Sequence, residues 1–206
     1  SIIFCKKCGN KLTSTKYFPK TREELDELLD RHDVEYSEID VSEITDMSYL
    51  FIQPKESIFL PYKKSYHVLD KDTAGLIYWD VSNVKNMEYM FCGATSFNQP
   101  IGNWDVSNVK NMECMFSGAT FFNQPIDNWD VSNVDNMGGM FCMGTFFNQP
   151  IGNWDVSNVE NMNSMFEDAT SFNQPIGNWD VSNVKDMTSM FENAASFNQP
   201  IGNWDV

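Results

Sequence analysis

An α/β repeat solenoid is the fold class this sequence predicts, and three observations predict it. The stretch WDVSNVKNMEYMFCGATSFNQPIGN, from Trp79 to Asn103, recurs from Trp104, Trp129, Trp154 and Trp179 and restarts at Trp204, so all six tryptophans fall at one position of a 25-residue period. Self-similarity at such a period marks an array of stacked units. Apolar residues hold the same places in every unit, and NQPIGN, rich in turn formers, closes each one. The array then accounts for residues 79–206 as five units and a truncated sixth.

Ahead of it the chain divides in two. Residues 1–16 carry FCKKCGNKL, in which Cys5 and Cys8 form a C-x-x-C followed by Gly9. That is the shape of a zinc knuckle, in which a tight turn aims two thiolates at one metal. It resembles the first half of a bacterial zinc ribbon over about nine residues, and the second C-x-x-C is missing. The competing readings are an unmetallated terminus and a zinc site completed by a second chain or by a partner. A redox C-x-x-C would want a βαβ context that the flanking sequence does not offer.

Residues 17–78 read as a helical N-terminal cap holding one degenerate repeat and an insertion. Thr21 with Glu24 forms a capping box, and Leu25, Leu28 and Leu29 give the apolar stripe of one helix of roughly three turns. Residues 39–51, IDVSEITDMSYLF, are the repeat in disguise: Ile39 takes the Trp place, Val41 and Ile44 the two Val places, Met47 and Leu50 the two Met places, and Phe51 the Phe place. The excess over one period lies in the insertion, which carries Lys55, Tyr62, Lys63, Lys64, Tyr66 and His67. Insertions on repeats are loops and carry function more often than scaffolds do. The plainer reading, favoured here, is a closing loop that packs Phe59, Leu60 and Leu69 over the first coil.

Within a unit, Trp79 and Val81 flank Asp80, which predicts a short strand with Trp and Val inward. Ser82 or Asn83 would cap a short helix. Val84, Met87, Met90, Phe91 and Ala94 supply its stripe, and Phe97 and Ile101 point inward on the returning loop. Each coil is thus expected to be a short parallel strand, a short helix and a Phe-anchored loop, unable to bury its apolar face unless stacked. The methionine column reads as core filling.

This pattern resembles the BspA-like bacterial surface-protein repeat, a leucine-rich-repeat relative built on M-x-x-M-F…F-N-x-x-I-x-x-W-D-V-S-x-V. MFCGATSFNQPIGNWDVSNV and its copies carry the likeness, and YFPKTREELDELL followed by IDVSEITDMSYLF resembles the usual start of such arrays. The resemblance covers residues 17–206. It implies a right-handed, leucine-rich-repeat-like solenoid without catalytic activity, acting in surface display, adhesion or partner binding. It also implies a cell-surface or secreted location. The start, SIIFCKKC, lacks the apolar core of a secretory leader, so a cytoplasmic interaction scaffold is the alternative.

Composition excludes other classes. The net charge is −15, with 29 acidic against 14 basic residues. A nucleic-acid partner is not expected, because phosphate binding needs a basic footprint. No apolar run approaches the length of a membrane span, so no membrane insertion is expected. Five cysteines show no disulfide framework. His32 and His67 lie outside the repeats, and no nucleophile elbow, P-loop or zincin motif is present, so the chain is not expected to be an enzyme. A protein ligand is the expected partner. No terminal cap follows Trp204, which makes end-to-end self-association a further expected mode.

Three polar columns are candidate binding features. Asp80, Asp105, Asp130, Asp155 and Asp180 share one outward position, and like charges in register call for compensation. Calcium or a basic partner is one reading. Local capping of backbone amides at each corner is the other, and the favoured one. The Asn83, Asn108, Asn133, Asn158, Asn183 column and the Asn98, Asn123, Asn148, Asn173, Asn198 column are expected to satisfy backbone at corners. Units differ mainly at 88–89 and 92–93 and their counterparts, positions expected to be exposed and able to tune recognition.

Overall fold

The computed structural model describes residues 15–53, 67–69 and 72–206. It also describes the backbone of two short strands, β1 (Ile3–Phe4) and β2 (Lys11–Leu12), paired antiparallel with Ile3 opposite Leu12. Cys5, Cys8, Phe59, Leu60 and the Lys55–Tyr66 part of the insertion lie outside the described residues.

The helix, α1 (Arg22–Leu29), has eight residues, about one turn fewer than the leucine spacing suggests. Its free amides are met from both sides. Thr21 Oγ1 accepts from the Glu24 N–H at 3.2 Å, and the Glu24 carboxylate accepts from the Lys20 N–H at 2.7 Å. This is a capping box displaced by one residue. Leu25 and Leu29 are buried against the first coil.

Beyond α1 the chain winds into six stacked coils, beginning at Ile39, Trp79, Trp104, Trp129, Trp154 and Trp179. One line of parallel bridges joins Asp46, Asn86, Asn111, Asn136, Asn161 and Asp186. The first coil therefore pairs directly with the second despite the insertion between them. Around each bridge, alternate residues form rungs. The N–H groups of Met87, Tyr89, Phe91 and Gly93 donate to the carbonyls of Asn111, Glu113, Met115 and Ser117 at 2.7–2.9 Å. The same four positions are linked at every other step of the stack. In these four rungs each N–H faces the next coil and each carbonyl the previous one. Beside the bridge a single bond runs the other way, from the N–H of Lys85, Lys110, Asp135, Glu160 and Lys185 to the carbonyls of Thr45, Lys85, Lys110, Asp135 and Glu160 at 2.8–2.9 Å.

This ladder runs where the apolar spacing predicts a helix, and no helix forms there. From the Trp79 coil onward two residues per coil sit in the left-handed region, Tyr89 at φ 54° and Gly93 at φ 72° in the first of them, with Cys114, Gly139, Ser164 and Ser189 matching Tyr89; the Ile39 coil has Tyr49 alone, at φ 60°. Each reverses the local path, so that alternate peptides turn along the stack instead of along a helix axis. Between rungs only short turns remain, such as Met90 N–H to the Met87 carbonyl at 3.2 Å.

The expected strand at Trp79–Val81 is also absent. The indole makes the cross-coil contact there. Trp79 Nε1 donates to the Tyr36 carbonyl at 2.9 Å, and Trp104, Trp129, Trp154 and Trp179 do the same to Leu76, Ile101, Ile126 and Ile151 at 3.1–3.2 Å. The tryptophan is thus conserved from coil to coil by geometry: its ring fills core while its single donor satisfies a buried carbonyl.

The interior is continuous. Val81, Val84, Met87, Met90, Phe91, Ala94, Phe97 and Ile101 are buried, as are their counterparts through the Trp154 coil, including Gly144 at the Ala94 place. Phe91, Phe116, Phe141, Phe166 and Phe191 stack at 5.7–5.9 Å. Phe97, Phe122, Phe147, Phe172 and Phe197 form a second column at 5.9–6.2 Å.

The two ends of the stack differ. At the first coil, Arg22 Nη1 donates to the carbonyls of Ser48 at 2.8 Å and Asp46 at 3.4 Å, and the His67 N–H donates to the Leu50 carbonyl at 3.0 Å. At the Trp179 coil, Met187, Phe191, Ile201 and Trp204 are only partly buried and line an open hollow of about 650 Å³. The N–H groups of Met187, Ser189, Phe191 and Asn193 find no acceptor among the described residues.

Candidate interaction surface

The aspartate column is divided into local pairs. Oδ1 of Asp80, Asp105, Asp130, Asp155 and Asp180 accepts from the N–H of the serine two residues on, at 3.1–3.2 Å. In the last four the serine hydroxyl adds a bond at 2.6 Å. The Ser182 hydroxyl and then its N–H hold the Asp180 carboxyl below the usual range. Among the described residues, no group of three His, Cys, Asp or Glu side chains is placed to hold a metal ion.

The asparagine columns join coil to coil. Nδ2 of Asn83, Asn108, Asn133, Asn158 and Asn183 donates to the carbonyl of the column serine in the preceding coil, at 2.7 Å in each case. Oδ1 of Asn98, Asn123, Asn148 and Asn173 accepts from the N–H of the next asparagine in the column at 2.9–3.0 Å. Neither Ser82 nor Asn83 caps a helix. A further column escaped the sequence reading: Oδ1 of Asn86, Asn111, Asn136, Asn161 and Asp186 accepts from the N–H two residues on at 2.9–3.0 Å, beside the bridge line. Its signal was an Asn or Asp repeating every period at that place.

His67 is buried between two carboxylates of α1. Its Nε2 lies 2.9 Å from Asp26 Oδ1 and its Nδ1 3.0 Å from Asp30 Oδ1. Burial opposes the charge on Asp26, but hydrogen bonds from His67 and Arg22 outweigh it and hold that carboxyl below its ordinary value. His67 therefore fastens the end of the insertion to the cap. His32 is exposed. Burial pushes the Cys92 and Cys142 thiols up to about 11 and Cys114 to about 12, so all three stay protonated at neutral pH.

Two aromatic pairs sit on the outside of the stack. Tyr49 and Tyr89 stack at 5.0 Å, half-buried, with the Tyr49 hydroxyl donating to Glu88 at 2.8 Å. Burial pushes both phenols' pKa up. Phe121 and Phe146 stack at 5.1 Å with planes 10° apart, and they remain 54% and 48% exposed. Their column holds Ser96, Ser171 and Ser196 in the other units, a difference the sequence reading passed over. Of the varying 88–89 and 92–93 positions, expected to be exposed, Met143, Thr188, Glu192 and Asn193 are exposed; Cys92, Ser117, Gly118, Gly138 and Gly139 are buried and the rest half-buried, because they lie on the ladder between coils.

These features define a repeat protein of stacked 25-residue coils. Its polar columns bind the coils to one another, and its individual character lies in a few outward side chains. Residues 69–146 and 125–206 each match the family described as Mycoplasma protein of unknown function, DUF285. Together these matches cover more than half of the chain, and the chain belongs to that family. No curated protein and no solved structure matches it. No helix among the described residues is long and apolar enough to cross a membrane.

Proposed function

We propose that this chain is a non-catalytic, protein-binding array displayed on a bacterial cell surface, and that its coils form a leucine-rich-repeat-like solenoid of the BspA type. The observation that carries this reading is the contrast between inner and outer positions. Phe91, Phe97, Trp104 and their counterparts as far as Phe172 and Trp179 repeat without change and are buried, while an outward column reads Ser96, Phe121, Phe146, Ser171, Ser196 on the same backbone. A scaffold whose core is constant while its outward side chains change is suited to recognition. The DUF285 match agrees with a surface repeat protein.

Protease treatment and antibody labelling of intact cells of the source organism test the location, with labelling before permeabilisation expected. Binding of the purified chain to an array of immobilised proteins tests the activity, with saturable binding expected. A chain reached by antibody only after lysis, or one that binds no protein, would overturn the corresponding half of the proposal.

A further inference from the structure

We infer that Phe121, Phe146 and Met143 form a docking surface for a cationic protein segment that sets Arg or Lys beside an aliphatic or aromatic side chain. The inference rests on the protein-binding reading above and names the class of partner. The two phenyl rings are half-exposed, as is Met143 at 49%. Met143 stands three residues before Phe146 in the same corner, where the Thr145 N–H closes onto the Met143 carbonyl at 3.0 Å.

The fold does not require these side chains. The units with Ser96 and Ser171 in the phenylalanine column, and with Gly93, Gly118 and Asp168 in the methionine column, keep the same four ladder rungs, while the Phe121 and Phe146 N–H groups add a bond to the Thr95 and Thr120 carbonyls of the coil before, at 3.1 and 3.2 Å. Met143 even takes a left-handed φ of 55°, where its column neighbours are Gly118 at φ 68° and Asp168 at φ 55°. Three large apolar groups clustered on two adjacent coils, where serine, glycine and acid suffice elsewhere, mark a contact surface.

Charge selects the partner. Between Lys110 and Lys185 the sequence holds nine carboxylates and no Lys, Arg or His. Two of them, Glu167 and Asp168, occupy the next coil in the columns of Cys142 and Met143, and the Met143 N–H donates to the Glu167 carbonyl at 2.7 Å. Of the nine, Glu160 pairs with Lys185 at 2.7 Å, whereas Glu167 and Asp168 make no ion pair among the described residues. The apolar patch is therefore bordered by unneutralised negative charge, which draws a basic segment. The outer faces of the stacked pair look toward Ser96 and Ser171, which carry no ring. A guanidinium can lie flat on a free phenyl face of this kind. A second copy of the chain, at the same net charge of −15, would be repelled from the same patch.

The test uses fluorescence anisotropy with two labelled twelve-residue peptides, one alternating arginine and leucine and one alternating glutamate and leucine. The expected result is saturable binding of the arginine peptide alone. The F121S/F146S variant, which restores the residue of the other coils, should weaken it at least tenfold with an unchanged unfolding midpoint. S171F, which lengthens the aromatic column, should tighten it several-fold. Absence of binding, equal binding of both peptides, or equal affinity of wild type and F121S/F146S would overturn the inference. Phenylalanine-dependent dimerisation in sedimentation would overturn it in favour of a self-interface. If the protein array captures wild type and F121S/F146S alike, this patch fails while the protein-binding reading stands. If it captures neither while the peptide result holds, the converse is true.

Discussion

The first coil and the five that follow present the same ladder edge, yet they satisfy it with different chemistry. From Trp79 onward each coil's rung carbonyls accept from the backbone of the coil before, so identical sequence serves as its own partner. The Ile39 coil has no coil before it. Arg22 from α1 reaches Asp46 and Ser48, and the His67 backbone reaches Leu50. Asp26 holds Arg22 on one side and His67 on the other. A repeat can be copied because its hydrogen bonds are backbone to backbone. A cap must be composed, because side chains from separate segments have to converge on one row of carbonyls. The cap consequently depends on few charged groups, and the array on many small repeated contacts.

The largest break in this comparison comes from the core of the array. Phe116→Ala removes a ring packed against Phe91, Phe122, Phe141 and Trp129 and is expected to cost about 3–5 kcal/mol in urea unfolding. The same change at Phe191, already partly exposed, should cost less than half as much. Equal costs at the two sites would refute the view that stacked neighbours carry the stability.

Arg22→Ala strips the cap of its contacts with two carbonyls and Asp26, leaving the nearly inaccessible Ser48 without that donor. About 1–3 kcal/mol is expected. Hydrogen exchange should quicken in α1 and residues 39–53 while the Trp129 coil stays protected. Uniform loss of protection along the chain would show that cap and array do not open separately.

A smaller effect is pH-dependent. Asp26 has a depressed folded pKa, so its contribution is fully present above the ordinary aspartate value near 3.9 and is lost as pH falls through the folded value. Exchange in α1 should therefore quicken on acidification below about pH 4 before that of the array does. Asp26→Asn should flatten this component. An unaltered acid profile in that variant would remove Asp26 from the account.

The smallest effect sharpens the other side. Asn133→Ala removes one bond, to the solvent-facing Ser107 carbonyl, which water can replace. About 0.5–1.5 kcal/mol or less is expected in thermal unfolding. A loss as large as that of Phe116→Ala would mean that the asparagine columns, and not the core, set the stability.

The inward places were legible in the sequence, because Val84, Met87, Met90, Phe91, Phe97 and Ile101 repeat with the period and each is buried. The backbone path between them was not. A stripe of i, i+3 and i+7 positions fits a helix, and it equally fits a chain that turns back at two left-handed residues. Gly93, Gly118 and Gly139 are overt signs of those turns, and the same columns elsewhere carry Tyr89, Cys114 and Met143, which disguise them. Asn193 and Asp168 in the second column were a further sign, since short polar side chains tolerate this conformation best. The local role of the aspartates was the favoured reading of their column, because like charges in register call for compensation. The exposed phenyl pair was not foreseen, because attention to what repeats passes over the single positions that change.

The one-way rungs have an electrical consequence. Each peptide carries a dipole of about 3.5 D, and in each ladder coil four of them align head to tail with those of the neighbouring coils. These four outnumber the single oppositely directed bond beside each bridge, so the stack is polar, with partial negative charge on its carbonyl face and partial positive charge on its amide face. Arg22 stands on the carbonyl face, where a cation is stabilised. Two amide faces brought together would set donor against donor, and the carbonyl face lies under α1. The amide face is complementary to a row of carbonyls in the same register, such as another coil of this repeat would present.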